Sequence, residues 1–178
     1  MPELKLVEVF DPSYVAGLGQ LPLADLRSRR DTCAELETEL SYLRRLAQAR
    51  IDLIAAESDR RQLGLSAEPE VLIEQLAQIL ADHPRGEGPG RLLTVFAPAE
   101  GAQSALAARV EAVCPSDQIA ALGTLSSEQL DGLLRDLSTL EGDVSAERRA
   151  LHAIQDRLQE ELVRRYRSGE ATVDALLS

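Results

Sequence analysis

From Pro22 to Leu63 the chain reads PLADLRSRRDTCAELETELSYLRRLAQARIDLIAAESDRRQL, with neither Gly nor Pro after the first position. Pro at the start and Gly64 just past the end are the usual punctuation of a helix. About forty residues at ~1.5 Å each make a rod of roughly 60 Å, far longer than an average globular helix. Its apolar side chains Leu36, Leu40, Leu43, Ala47, Ile51 and Ile54 fall on one stripe, and such a rod needs a partner to cover that stripe. Ser126 to Ser168, SSEQLDGLLRDLSTLEGDVSAERRALHAIQDRLQEELVRRYRS, supplies one of matching length. Ser126 or Ser127 caps its start and Gly169 follows its end, while Gly132 and Gly142 weaken it modestly. Its stripe is Leu133, Leu137, Leu140, Val144, Leu151, Leu158 and Leu162. The predicted fold class is all-α: a long antiparallel helical hairpin, a coiled coil, with short additional helices between the two long ones.

The remaining segments follow from their punctuation. Residues 1–21 form an N-terminal arm, in which the Pro and Gly of DPSYVAGLGQLP favour extended chain or turns. Residues 64–125 connect the long helices 22–63 and 126–168. Within the connection EPEVLIEQLAQILADH and AEGAQSALAARVEAV read as short helices, PRGEGPGR as a loop and LLTVF as a brief strand. Residues 169–178 are a C-terminal tail, helical or frayed.

Composition narrows the function. Aromatics are 3% and Trp is absent, so Leu, Ala, Ile and Val must fill the core, as in helices packed along a seam. The net charge of −11 repels nucleic acid and anionic lipid and steers a basic protein partner inward; direct DNA binding is not expected. Lys5 is the only lysine, so Arg carries nearly all the positive charge. Cys33 and Cys114 stand far apart with no metal-ligand spacing, as expected of reduced thiols and no metal. A basic start with a long apolar run is absent, as is any stretch of about 18 apolar residues, so a cytoplasmic location is expected and no membrane partner.

The two long segments superimpose with an offset of 104 residues. Glu37 falls on Glu141, Ser41 on Ser145, Arg44 on Arg148, Gln48 on His152 and Asp52 on Asp156. Arg45 and Arg149 also coincide, as do Arg60–Arg61 and Arg164–Arg165. On each helix the five polar positions lie within an arc of roughly 80° beside the apolar stripe. A stripe in that place is most often a solvated coiled-coil flank. With each residue type at several per cent of the total, however, a four-of-five match arises by chance roughly one time in a hundred.

The stripe suits recognition better than catalysis. No nucleophile has an adjacent base: Ser41 and Ser145 lack a His one turn away, and His152 lies two turns beyond Ser145. Arg presents a donor fork to guanine O6 and N7, and a carboxylate can accept from the Watson–Crick donors of the same base. Ser, and Gln or His, can donate to phosphate oxygens. Each helix therefore carries the groups for one base and its phosphate, and the hairpin carries two such sets.

The spacing E-x3-S-x2-R-x3-Q-x3-D at Glu37 to Asp52 resembles the signature of the RsiG family of cyclic-di-GMP-dependent anti-sigma factors. The second copy, Glu141 to Asp156, resembles it too, with His152 in the Gln position. The resemblance spans both helices, their order and the chain length. It implies that two cyclic-di-GMP molecules bind between the motif helices as an intercalated pair. It further implies that the loaded protein sequesters a sporulation sigma factor of the WhiG type in actinomycetes, one per chain, without catalysis. Glu37, Ser41, Arg44, Gln48, Asp52, Glu141, Ser145, Arg148, His152 and Asp156 would form the ligand site, with Arg44, Asp52, Arg148 and Asp156 reading guanine. A coiled-coil adaptor with no nucleotide ligand is the alternative.

Overall fold

The computed structural model describes residues 2–64 and 106–169. Two long helices dominate it: α2, Leu23–Gln62, of 40 residues, and α5, Ser127–Ser168, of 42 residues. They run antiparallel. Arg27 near the start of α2 donates to the Tyr166 hydroxyl near the end of α5, whereas Arg44 in mid-helix meets Glu141. Helix α5 starts on a capping box in which Ser126 and Gln129 bond each other's backbone N–H groups. It ends at Gly169 in the left-handed region, at φ 77°, where a residue without Cβ is favoured.

The seam is built from Leu26, Cys33, Leu36, Leu40, Leu43, Ala47 and Ile54 of α2. Leu130, Leu137, Leu140, Val144, Leu151, Leu158 and Leu162 of α5 face them, and all are buried. Each buried Leu, Ile or Val contributes about 1.5–3 kcal/mol through burial, and the small Ala47 less. Ile51 and Leu133, expected in the seam, are only partly buried. The heptad line that runs through Leu36 and Leu43 next reaches Arg50 and Glu57, and both of these are buried instead.

The N-terminal segment takes the turns that its Pro and Gly favoured rather than extended chain, and before them it forms a helix that the sequence reading did not place. Pro2–Phe10 forms helix α1, and 3₁₀ turns follow at Pro12–Val15 and Leu18–Gln20. Pro2 sits at the first position of α1, where proline is tolerated, and the Pro and Gly of DPSYVAGLGQLP begin only after the helix, so they shape the turns and leave it intact. Leu6 and Val9, one turn apart, are buried together with Tyr14 and Val15. Tyr14 donates to the Arg29 carbonyl, the Arg29 guanidinium lies 4.9 Å over the Tyr14 ring, and burial pushes the Tyr14 hydroxyl pKa up.

On the other half, α3 (Ala107–Val113), α4 (Ser116–Ala120) and a 3₁₀ turn at Leu122–Thr124 precede α5. Helix α3 is the end of the segment AEGAQSALAARVEAV. The readings of a helix at 68–83, a loop at 84–91, a strand at 92–96 and a tail at 170–178 lie outside the described residues. Arg50 anchors this half: it donates to the carbonyls of Val110 (3.2 Å) and Cys114, to Glu111, and to Ser116 Oγ at 3.0 Å. It lies about 200° around α2 from Gln48, so α3 and α4 dock on the side away from the motif.

The repeat is therefore longer than the motif. The turns Leu18–Gln20 and Leu122–Thr124 are themselves 104 residues apart (122 − 18), and Arg61 and Arg165 use them reciprocally. Arg61 donates to the carbonyls of Leu125 (2.6 Å) and Leu122 (2.9 Å). Arg165 donates to the carbonyl of Leu18 at 2.7 Å. Each long helix thus ends by bracing the turn that launches the other. Glu57 and Glu161, again 104 apart, hold these arginines through bonds of 2.6 Å (Arg61) and 2.8 Å (Arg165).

Arg60 foremost, then Arg61, hold the Glu57 carboxyl at about 2, below its ordinary 4.5; Arg164 foremost, then Arg165, bring Glu161 to about 2 as well. The folded chain takes up these protons less readily than the unfolded one. Their stabilisation is therefore complete above about pH 4.5 and lost as pH falls toward about 2. Glu57→Gln combined with Glu161→Gln is expected to lower the melting temperature at neutral pH by several degrees and to flatten the acid limb of stability. Thermal melts by circular dichroism across that range test this, and an acid limb as steep as in the unmodified protein would assign the loss to other groups.

Candidate functional site

All ten motif residues lie on α2 and α5, and the antiparallel register decides which of them meet. In the sequence overlay Glu37 matches Glu141; in space each glutamate meets the arginine of the other copy. Arg148 Nη2 donates to Glu37 Oε1 at 2.6 Å, and Arg44 Nη1 donates to Glu141 Oε1 at 3.3 Å. The residue four further on joins each pair. Gln48 Nε2 donates to Glu141 Oε1 at 3.2 Å, and His152 Nε2 lies 3.6 Å from Glu37 Oε1. Ser145 Oγ also donates to Glu141 Oε1, at 3.0 Å. Two crossed clusters result, each joining a glutamate of one motif copy to the arginine of the other.

These pairs are intermediate in burial: side-chain exposure is 32% and 23% for Arg44 and Glu141, and 21% and 26% for Arg148 and Glu37. At that depth an ion pair is less screened than on an open surface. Each arginine spends one end of its fork on a glutamate, while Nε of Arg44 and Nε of Arg148 are buried and meet no hydrogen-bond partner among the described residues. A buried donor left unpaired costs free energy, and the same cost falls on both halves. Ser41 is half-buried between Glu37 and Arg44, and Asp52 and Asp156 are exposed one turn beyond Gln48 and His152.

A groove of about 430 Å³ opens on this face, lined by Gln48, Ile51 and Asp52 of α2 and by Ser138 and Glu141 of α5. Its size is that of a small-molecule cleft. It draws residues from both motif copies, so the first copy's Gln48 and Asp52 share a cleft with the second copy's Glu141. Ile51 and Ser138 are lining residues that the sequence reading missed. Ser138 could have been found from its place three residues before Glu141, hence on the same helix face; Ile51 was assigned to the seam it borders. Among the described residues no group of His, Cys, Asp or Glu side chains is arranged to hold a metal ion. No helix among them is long and apolar enough to cross a membrane.

The fold and site define a class: an all-α protein made of two related halves, with a polar cluster from each half closed across a coiled-coil seam. The RsiG-like family profile matches residues 12–80 and 116–178. Those two segments start 104 residues apart (116 − 12), the spacing of the repeat. The chain belongs to the RsiG-like family, a family of anti-sigma factors. No curated protein matches it.

The crossed pairing has a direct energetic signature. In double-mutant cycles, Arg44→Gln and Glu141→Gln are expected to couple by about 0.5–1 kcal/mol, whereas Arg44→Gln and Glu37→Gln should add. Urea unfolding of the singles and doubles measures both, and equal coupling in the two cycles would contradict the observed register.

Proposed function

We propose that this chain binds a pair of cyclic-di-GMP molecules across the α2–α5 seam and, when loaded, sequesters a WhiG-type sporulation sigma factor in the cytoplasm. The observation that carries the reading is the convergence of both motif copies, through Arg44 with Glu141 and Arg148 with Glu37, on one face of the hairpin. A twofold-related pair of ligands matches a twofold-related set of residues. Arg44 and Arg148 supply donor forks for guanine O6 and N7 or for phosphate. Asp52 and Asp156 accept from the guanine Watson–Crick donors, while Ser41, Ser145, Gln48 and His152 turn to the phosphates. Glu37 and Glu141 complete the site. The protein does no chemistry on its ligand in this reading. An acidic chain at −11 is also suited to the basic surfaces by which a sigma factor meets DNA, and one sigma factor per chain is the proposed complex.

The ion pairs also favour a second reading, in which the charges only staple a coiled-coil adaptor and no nucleotide binds. Calorimetry separates the two. Two cyclic-di-GMP molecules per chain are expected, with affinity reduced by about a hundredfold or more in Arg44→Ala and likewise in Arg148→Ala, both variants retaining helicity. A pull-down with the sigma factor should succeed only with the dinucleotide present. Absence of binding heat both with and without the sigma factor would leave the adaptor, and dinucleotide consumed during incubation would point to an enzyme.

A further inference from the structure

We infer that the hairpin works as tweezers: the end where α2 begins and α5 finishes is a hinge, and the end where α2 finishes and α5 begins is a jaw that opens on its own and widens the groove. The offset of 104 lets the two ends be compared residue by residue. At the hinge end Arg27 of α2 donates to the Tyr166 hydroxyl of α5 at 2.6 Å. The corresponding jaw positions are Asp131 and Gln62. Both are exposed, and no hydrogen bond joins them among the described residues. The turn braces do not separate the ends, since Arg61 serves the jaw as Arg165 serves the hinge. The difference lies in the clasp and in the core.

Leu162, Tyr14 and Ile154 of the hinge end correspond to Ser58, Gln118 and Arg50 of the jaw end. Leu162 and Tyr14 are buried, whereas Ser58 Oγ and Gln118 Oε1 are buried without a hydrogen-bond partner among the described residues. Such an exchange removes apolar contact and adds the cost of an unpaired polar atom. Arg50 is well bonded, but its partners lie on or beside α3 and α4, so those bonds do not join α2 to α5. Two exchanges run the other way, Arg29 for Leu133 and Cys33 for Leu137. Arg29, however, is held over the Tyr14 ring, Cys33 is buried and Leu133 is only partly so. Gly132 weakens the jaw end of α5, and Glu128, Asp131 and Asp136 repel one another there with Arg135 as the one base between Ser127 and Leu140. The parts of a fold with least apolar contact open first. The groove lies on the jaw side of the middle, for Gln48, Ile51 and Asp52 are toward the end of α2 and Ser138 and Glu141 toward the start of α5. Parting the jaw therefore widens the groove while the Arg27–Tyr166 clasp holds the far end, whatever the groove receives.

Native-state hydrogen exchange of the full chain, corrected for intrinsic rates, tests this. Amides at 52–62 and 128–138 are expected to exchange together and at least about tenfold faster than those at 24–34 and 156–166. Gln62→Tyr combined with Asp131→Arg transplants the clasp, and should slow the jaw amides by about fivefold or more while leaving the hinge amides unchanged. Ser58→Leu should slow the same set through the core, and is read alone should the double variant lose helicity. Equal protection of the two ends in the unmodified chain overturns the inference. So does jaw exchange that neither change slows, or a slowing of both ends alike, since the hairpin would then open as one unit.

Discussion

A 40-residue helix with a single apolar stripe leaves that stripe in water unless a partner covers it, and this requirement organises the rest of the molecule. Fixing each residue costs about 1–2 kcal/mol of conformational entropy, and burying a leucine returns about 1.5–3 kcal/mol. A bare two-helix hairpin buries one stripe per helix and leaves most of its residues in water, so the seam alone is a thin return for so much ordered chain. The short elements supply the rest. Leu6, Val9, Tyr14 and Val15 from the N-terminal side join the same core as Leu106, Val110, Cys114 and Leu122 from the other half. The arginine braces follow from this need. Arg61 and Arg165 reach past the helix ends to bind the turns on which the opposite helices begin, which fixes the register along the whole hairpin.

Much of this was legible in the sequence, for reasons that mark where legibility stops. Helix extent could be read because Gly64, Ser126 and Gly169 punctuate it chemically, and the structure places α5 on that Ser126 cap and that Gly169 terminus. The seam could be read because Leu recurs at heptad spacing. Arg50 could not, since a charged residue at a heptad position looks like an interruption. It is buried because the carbonyls of Val110 and Cys114, sixty or more residues away, converge on its guanidinium. Helix α1 was missed because the Pro and Gly after it dominate a local reading, whereas its stability comes from Leu6 and Val9 packing on distant residues.

The motif residues show the same division. Their repetition was visible at an offset of 104, but repetition matches Glu37 with Glu141 and says nothing of what either touches. Contact depends on the stagger of two antiparallel rods, which the seam and the turn braces set together. Once that stagger is fixed, Glu37 meets Arg148 and Glu141 meets Arg44. The mixed lining of the groove follows from the same crossing. A slip of one heptad would leave both stripes intact and dissolve every pair, so the site is a property of the register as much as of the residues.

On the cyclic-dinucleotide reading, the crossed pairs would tie ligand occupancy to helix spacing. The charges that would be offered to a ligand are the charges that bridge α2 and α5, so a ligand drawing on Arg44 and Arg148 competes with interhelical contacts. Binding and the separation of the helices are then one equilibrium, biased by whatever else holds the hairpin. A protein partner that grips the hairpin at the spacing the ligand prefers raises the ligand's affinity, and by linkage the ligand raises the partner's by the same factor. On that reading, a change of partners at Glu37 and Glu141 would be transmitted along two rods braced at both ends.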